Sequence, residues 1–385
     1  MDFDLSEEQT LLKDTVERWA ADTYPTLEAT IAARAEAAGF SASRWTELAE
    51  LGVLGLPFAE ADGGFGCGPV EIGLVMEAFG RRLAPEPFLA AIVLAGGALR
   101  LAANDAQREA ILPAVIAGTS RAALAHGEAR ARYDLFDVAT TATPTPSGGW
   151  RLDGRKTVVE HGGTADLLIV SARTSGARRD GDGVTLFLVP AGTPGLRVVP
   201  HTAHDGGRTA EISLDGVELP AEAVLGPIGG GVAIVERATE AAIAAVCAEA
   251  IGSMRALTDL TVEYLRTRKQ FGVAIGSFQS LQHKAVDMFV ALEQARSMAL
   301  YAAMMVEAED ADERRSAISA AKVQINRSAR FVGQTAVQLH GGIGMTMEYL
   351  GAHHFRRLAM IEIAFGDTAH HLRRVTLAGG LVKAS

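Results

Sequence analysis

The residues with the clearest chemical potential lie at the end of a helix-like stretch in the last third of the chain. The segment Arg268–Gly272, with the sequence RKQFG, places two cations, an amide and an aromatic ring side by side. An arginine can hold a phosphate through paired hydrogen bonds, and a phenylalanine can pack against the planar ring of a cofactor. The dipole at a helix C-terminus would also favour these cations, so an anion site and a purely structural role are equally compatible with the sequence.

A second candidate is the segment Gln338–Gly344, with the sequence QLHGGIG. It follows a helical pattern and places an amide three residues before paired glycines, so side-chain and backbone donors could reach a phosphate or a cofactor edge. Two other glycine-rich stretches, Asp62–Gly66 and Gly229–Gly231, match neither the Walker nor the Rossmann spacing and indicate tight turns.

The sequence contains no pattern that indicates a metal site or an activated nucleophile. Histidines are frequent near the end of the chain, but no HExxH or CxxC spacing occurs, and we expect no bound metal. There is no GxSxG motif. Cys67 and Cys247 lie among glycines and alanines, which predicts buried or inert thiols.

Composition excludes several classes of protein. The chain has 385 residues, 48% of them hydrophobic, and a formal net charge of −10. This acidic balance argues against nucleic-acid binding, which needs a basic face. The longest uncharged apolar run, Phe88–Leu99, has 12 residues, fewer than the roughly 18 that predict a membrane span. The acidic N-terminus is unlike a signal peptide, and two cysteines suit a reducing compartment, so we expect a cytoplasmic protein.

Hydrophobic patterning divides the chain into three parts that must position these segments. Helical periodicity covers residues 1–121, short β-branched strands follow over residues 122–227, and helices return over residues 228–385. We predict an α+β fold that is mainly α. Its parts are an N-terminal helical domain, a middle antiparallel β-barrel or sandwich, and a C-terminal four-helix bundle that carries oligomer contacts.

Local signals add detail to this division. Ser6, followed by two glutamates, predicts a helix N-cap, and Asp153-Gly154 and Asp215-Gly216 predict hairpin turns. Apolar residues between Leu281 and Val306 step alternately by four and three, as in a long bundle helix. A seam of this length predicts an oligomer.

Two of these motifs resemble a known family. Arg268–Gly272 followed by Phe278–Gln282, and Gln338–Gly344, look like the flavin-binding signatures of acyl-CoA dehydrogenases, and the similarity covers nearly the whole chain. Within that family, the phrases VEYLRTRKQFG, GGIGMTMEY and FGDTAHHL look most like the small subunits of pimeloyl-CoA dehydrogenases.

The resemblance implies an FAD enzyme that oxidises an acyl-CoA to its 2,3-enoyl-CoA and passes electrons to an electron-transfer flavoprotein or a similar acceptor. In such enzymes a carboxylate removes the C2 proton while a hydride leaves C3 for the flavin, in a homo- or hetero-oligomer. The resemblance assigns the diphosphate–adenosine part of the cofactor, bound across a subunit interface, to Arg268, Gln270 and Phe271, its phosphates to Gln338, Gly341 and Gly342, and its adenosine half to Gln279.

The sequence departs from the family pattern where the chemistry should be. The two positions at which relatives carry the catalytic carboxylate are Phe365 and Ala242, and the arginine that often follows the second is Ile243. The loop that grips the flavin pyrimidine is replaced by Gly127–Asp134, and the Trp-Ile-Thr/Ser beside the flavin by Val158–Glu160.

Three interpretations remain open from the sequence. The chain is an active dehydrogenase with a displaced base, for which Asp367 is the first candidate and Glu362 and Glu160 are weaker ones. Alternatively its own acyl site is degenerate, and it pairs with a related, base-bearing chain in an α2β2 assembly. The third interpretation is a flavoprotein of this fold that uses oxygen or a substrate other than a CoA ester.

Overall fold

The computed structural model describes residues 5–378, which divide into two compact units. The helical unit contains residues 5–33, the segment Pro69–Pro85, and residues 243–378. The sheet unit contains Arg34–Gly68 and Glu86–Ala242. Both units are therefore built from segments that are distant in sequence.

Eleven α-helices form within the described residues, and none of them combines the length and apolar content needed to cross a membrane. A π-helical segment, Leu89–Ala95, precedes the fifth helix. The helices are α1 (Glu7–Thr23), α2 (Leu27–Ala35), α3 (Ala42–Glu50), α4 (Pro69–Arg82), α5 (Gly96–Ala102), α6 (Asp105–Ile116), α7 (Gly231–Thr267), α8 (Gln279–Met305), α9 (Ala311–His340), α10 (Leu350–Ile363) and α11 (Thr368–Leu377).

Helix α1 begins as the sequence predicts. The Ser6 hydroxyl accepts a hydrogen bond from the Gln9 backbone N–H at 3.1 Å, and the Gln9 side chain accepts one from the Ser6 N–H at 3.0 Å. This reciprocal cap satisfies two N–H groups that would otherwise lack partners at the helix start. The Gln9 amide also donates to Glu71 Oε1 at 2.8 Å and so ties α1 to α4.

The predicted seam of α8 is buried over most of its length. Met288, Leu292, Ala295, Ala299 and Ala302 are all buried, at the alternating spacing that the sequence shows. Helix α9 packs along α8, so the small alanine side chains allow the two helices to approach closely.

Ten strands lie within the part of the chain that the structure describes: β1 (Ala122–Ala125), β2 (Thr141–Pro144), β3 (Trp150–Glu160), β4 (Leu167–Arg173), β5 (Val184–Pro190), β6 (Leu196–Thr202), β7 (Arg208–Leu219), β8 (Val224–Leu225), β9 (Lys269–Gln270) and β10 (Val273–Ala274). They form two sheets, of which the larger has the order β6-β7-β3-β2-β4-β5-β8 with β1 beside β4.

The large sheet is mixed, which corrects the prediction of an antiparallel domain. Strand β1 runs parallel to β4, and β2 is parallel to β4 at one residue pair, whereas the other pairings are antiparallel. Parallel neighbours need a long connection, and here β2 and β3 lie between β1 and β4 in the chain. Strand alternation alone does not reveal such a crossover.

The two predicted Asp-Gly hairpin turns are wrong, because both pairs lie inside strands. The register between β3 and β7 shifts between Leu152 and Gly154, opposite Val217 and Leu214. Gly154 and Gly216 have φ of 155° and 61°, and the Gly216 N–H donates to Asp153 Oδ1 at 2.8 Å. The glycines supply the unusual backbone that a bulge needs rather than a turn.

Arg173, at the end of β4, organises two loops of the sheet unit. The residue is 7% exposed, and its guanidinium lies within hydrogen-bonding distance of six backbone carbonyl oxygens. A planar group with five donors can serve several carbonyls that would otherwise be buried without partners. The acceptors and their distances are Phe136 (3.0 Å), Val138 (3.3 Å), Ser175 (3.4 Å), Arg178 (2.9 Å), Asp180 (3.3 Å) and Asp182 (2.9 Å).

We expect Arg173→Met to loosen the loop that contains Arg178 and Arg179. Each hydrogen bond from a charged donor stabilises by about 1.5–3 kcal/mol, so tryptic cleavage after these arginines should accelerate at least about tenfold. The cleavage rate is measured by mass spectrometry of the fragments. Arg197→Met, on exposed β6, is the matched control and should leave the rate unchanged. Equal rates in both variants would contradict a role for Arg173.

Candidate functional site

The RKQFG segment forms a hairpin at the end of α7. The Arg268 N–H donates to the Tyr264 carbonyl at 2.8 Å, and the Arg268 carbonyl accepts from the Ile275 N–H at 2.8 Å. Between these bonds β9 pairs with β10 around a two-residue turn, Phe271–Gly272. Both turn residues have positive φ, 54° and 81°, as a two-residue turn between twisted strands requires.

The tip of the hairpin exposes an aromatic ring. Phe271 is 91% exposed and makes only an edge contact with Phe278, at 6.1 Å between ring centroids. Arg268, Gln270 and Gln279, the first residue of α8, are exposed beside it. The structure therefore gathers all four predicted residues on one hairpin and its flanks. The exposed ring is thus available for contact with a ligand or another chain.

The QLHGGIG segment forms the end of α9 and a tight turn after it. Gln338 is exposed in the last turn of α9, and Gly341 has φ of 65°. A Cβ atom placed on Gly341 or Gly342 would meet no atom within 4 Å, so the backbone here is open to a ligand. The Gly341 N–H itself donates to the Val337 carbonyl as the C-cap of α9. An exposed amide beside backbone that no side chain covers suits the phosphates of a dinucleotide, and these residues fit FAD.

The turn between α10 and α11 contains Phe365, at the position where the family resemblance places the catalytic carboxylate. Phe365 is half-buried and has φ of 56°, which is unfavourable for a non-glycine residue. Asp367, the candidate displaced base, is the N-cap of α11, and its Oδ1 accepts from the His370 N–H at 2.8 Å. One of its two oxygens is thus engaged in starting a helix.

Side chains along one face of α9 hold this turn. The buried Lys322 ammonium donates to the carbonyl of Ile361 at 2.6 Å and to Asn326 Oδ1 at 2.8 Å. Asn326 in turn donates to the Glu362 carbonyl at 3.2 Å. Burial lowers the pKa of Lys322 to about 8, against the attraction of nearby anionic groups. The Glu362 carboxylate, a weaker base candidate, is paired with the Arg330 guanidinium, whose Nε lies 3.2 Å away.

His371 lies beneath the same turn and is fully buried. Its Nδ1 is 3.3 Å from Ser319 Oγ, and a Cβ on Gly366 would lie 2.5 Å from its Nε2. Burial, together with the charge of Lys322, lowers the pKa of His371 to about 3. The imidazole is therefore neutral at pH 7, and a residue larger than glycine at position 366 would collide with it.

Helix α7 buries the second position at which the family resemblance places the base. Ala242 is fully buried, and Ile243 is 2% exposed. Two residues earlier, Glu240 is also buried, with its Oε2 3.9 Å from the Arg237 guanidinium. Sequence reasoning missed Glu240, although a carboxylate within an alanine-rich apolar helix was a usable signal.

The loop Gly127–Asp134, which the resemblance sets at the flavin pyrimidine, is anchored by a buried ion pair. Lys156, fully buried on β3, donates to Glu128 Oε1 at 2.8 Å and to Ser171 Oγ at 3.0 Å. Burial lowers the pKa of Lys156 to about 8, opposed by Glu128. Burial alone would raise the pKa of Glu128, but Lys156 and two hydrogen bonds from Thr140 hold it below its usual value. This network fixes the loop and was not predicted.

Val158 and Glu160 stand where the family resemblance places an aromatic and a hydroxyl residue beside the flavin. Val158 is 72% exposed and has φ of 52°. Glu160, a weaker base candidate, is half-buried at the end of β3. Within residues 5–378, no group of three or more His, Cys, Asp and Glu side chains could hold a metal ion. Cys247 is fully buried, and burial raises the pKa of its thiol to about 12.

Comparison with known proteins defines the class to which this fold and site belong. Models of the acyl-CoA dehydrogenase N-terminal, middle and C-terminal domains match residues 6–119, 123–217 and 229–378 in succession. The chain is 30% identical to the acryloyl-CoA reductase (NADH) of Anaerotignum propionicum, over 100% of this chain and 96% of that protein. The chain therefore belongs to the acyl-CoA dehydrogenase family of FAD-dependent oxidoreductases.

Solved structures agree with this assignment. Butyryl-CoA dehydrogenase from Megasphaera elsdenii matches with a TM-score of 0.89 and 27% identity, over 98% of this chain and 99% of that one. A chain of the ChsE4–ChsE5 complex from Mycobacterium tuberculosis matches with a TM-score of 0.86 and 26% identity, over 98% of each chain. The helical, then β, then helical order predicted from the sequence is confirmed.

Acid should destabilise the protein partly through His371. The imidazole of His371 binds a proton near pH 6.5 in the unfolded chain but only near pH 3 in the folded chain. The free energy of unfolding therefore falls as the pH drops through this window. At pH 4.5 the loss from this residue is about 2–3 kcal/mol. We expect urea unfolding of His371→Gln to show a correspondingly smaller loss between pH 7 and 4.5. The exposed-residue variant His283→Gln is the control, and an acid loss in His371→Gln equal to that of the parent would contradict this expectation.

Proposed function

We propose that this chain is a subunit of an FAD-dependent acyl-CoA dehydrogenase that forms a 2,3-enoyl-CoA and passes its electrons to an electron-transfer flavoprotein or a similar acceptor. The exposed hairpin of Arg268, Gln270 and Phe271 supports this proposal, together with the open backbone at Gly341 and Gly342. Arg268 would hold the diphosphate, Gln338 and the two glycines would approach the phosphates, and Gln279 would reach the adenosine half.

Removal of the C2 proton needs a base placed in a dry site, since that proton is not acidic in water. Bound FAD supplies the hydride acceptor. On this chain Phe365 and Ala242 occupy the positions of the base, Asp367 caps a helix, and Glu362 is paired with Arg330. The observation that carries the proposal of a base from another chain is therefore Phe365 itself. It lies on a turn that hydrogen bonds from Lys322 and Asn326 hold in place.

We further propose that the base comes from a homologous chain in a hetero-oligomer. The resemblance to the small subunits of pimeloyl-CoA dehydrogenases supports this pairing, as does the likeness to ChsE4–ChsE5, a complex of two named chains. Val286, Phe289 and Val290 expose 58%, 55% and 47% of their surface on α8, and a second chain would cover them. In this assembly the Phe271 hairpin of the present chain would complete the flavin site of its partner.

The proposal is tested with the chain purified alone and together with a homologous chain that carries a glutamate at either base position. Under anaerobic conditions, butyryl-CoA, octanoyl-CoA and a dicarboxylyl-CoA are added and the flavin absorbance is followed. We expect bleaching only in the mixture, and Arg268→Gln in this chain should lower the flavin content of the complex. Rapid bleaching of the chain alone would contradict the pairing.

A carboxylate restored at position 365 should convert the chain into a dehydrogenase. Because general-base catalysis contributes about 10²–10⁴-fold, we expect Phe365→Glu to bleach at least about a hundredfold faster than Phe365→Gln, which has the same size without a charge. Both variants keep the unfavourable φ of the parent, so their stabilities should match. No difference between them would show that more than the base is lacking.

Asp367→Asn separates the pairing from a displaced base. Asparagine caps a helix about as well as aspartate, so we expect unchanged stability and unchanged bleaching in the assembled complex. The bleaching rate and the thermal midpoint of the complex check this. A loss of bleaching with the flavin retained would identify Asp367 as the base and overturn the pairing.

A further inference from the structure

His340, the residue immediately before Gly341, is enclosed between two tyrosines of the helical unit. It is 4% exposed, and its ring centroid lies 4.6 Å from that of Tyr264 and 4.9 Å from that of Tyr349. The sequence indicates no role for any of these rings. Tyr264, His340 and Tyr349 together form a three-ring cluster.

The hydrogen bonds of His340 determine its tautomer. Nδ1 lies 2.8 Å from the Ala336 carbonyl, which can only accept, so Nδ1 carries the hydrogen. Burial lowers the pKa of His340, which leaves the ring neutral and Nε2 free of hydrogen. Tyr349 Oη, 2.7 Å from Nε2, must therefore donate to it. Burial raises the pKa of Tyr349, so its hydroxyl retains the proton that it donates.

Each ring of the cluster belongs to a different structural element. Tyr264 lies on the last turn of α7, and its carbonyl accepts the Arg268 N–H that starts the hairpin. His340 ends α9 and precedes the open glycines, while Tyr349 is the N-cap residue of α10. The cluster thus joins the end of α7, which carries the arginine hairpin, to the end of α9, which carries the glycine turn.

We propose that His340 and Tyr349 are positioning residues that fix the distance between the arginine hairpin and the glycine turn, so that both can engage the adenosine diphosphate half of one FAD. This inference rests on the FAD site of the proposed function. The two segments are more than 60 residues apart and end separate helices, so a rigid link between them lowers the cost of engaging one diphosphate at two points. Neither residue is assigned a contact with the cofactor.

The test is Tyr349→Phe, which keeps the ring and removes the hydroxyl that His340 Nε2 accepts. We expect the dissociation constant of FAD to rise about five- to tenfold, because one neutral hydrogen bond is lost and a buried acceptor is left without a partner. ADP, which carries the same diphosphate half, should weaken by the same factor. FMN, which lacks the adenosine, should be unaffected. Binding is measured by fluorescence titration of the assembled apoprotein.

Two controls separate positioning from general damage. Tyr301→Phe removes a half-exposed hydroxyl from α8 and should leave all three affinities unchanged. The Gln side-chain oxygen can replace Nε2 as an acceptor, so His340→Gln should retain most of the FAD affinity. His340→Leu, of similar volume without an acceptor, should lose as much affinity as Tyr349→Phe or more.

Two results would overturn the inference while leaving the proposed function intact. The first is unchanged binding of FAD and ADP in Tyr349→Phe. The second is an equal loss of FAD, ADP and FMN binding with a lowered thermal midpoint of the apoprotein, which is the signature of general destabilisation. A parent protein that binds neither FAD nor ADP would instead overturn the proposed function together with this inference.

Discussion

The arrangement of the helical unit depends on one buried charge. Lys322 is fully enclosed, and a buried ammonium group is costly unless its hydrogen bonds are made. It makes them with Asn326 and with the carbonyl of Ile361 at the end of α10. Any displacement of α10 along α9 would break these bonds, so the electrostatic cost of the lysine sets the register between the two helices.

Helix α9 also positions two turns, the one that contains Phe365 and the one that contains Gly341 and Gly342. Its middle holds the turn that contains Phe365, and its end leads directly into the open glycines after His340. One rigid helix therefore carries both the glycine turn proposed to approach the cofactor and the support of the turn at which the family resemblance places the catalytic base. This explains how the chain can retain a complete scaffold around a position that has no carboxylate.

The sequence was sufficient for features whose signal is local. The RKQFG and QLHGGIG segments, the Ser6 cap and the α8 seam each follow from residues a few positions apart. The sequence was insufficient where a side chain pairs with a residue far away in the chain, or where strand pairing determines the backbone conformation. Lys156 and Glu128 are 28 residues apart, and Asp153-Gly154 matches a turn motif but forms a bulge because β7 pairs across it. Asp367 was a base candidate from the sequence, and only the geometry shows that it caps α11.

Residues with unfavourable backbone angles coincide with the segments that the family resemblance identifies. Of six non-glycine residues with positive φ within residues 5–378, four lie in these segments: Arg132, Val158, Phe271 and Phe365. The hydrogen bonds that hold the last of these turns end on the Ile361 and Glu362 carbonyls and on the Asp367 cap, and none requires the side chain at position 365. After a gene duplication, one copy could therefore exchange a carboxylate at this position for an aromatic ring without losing its fold, and the two copies could divide chemistry and cofactor binding between them.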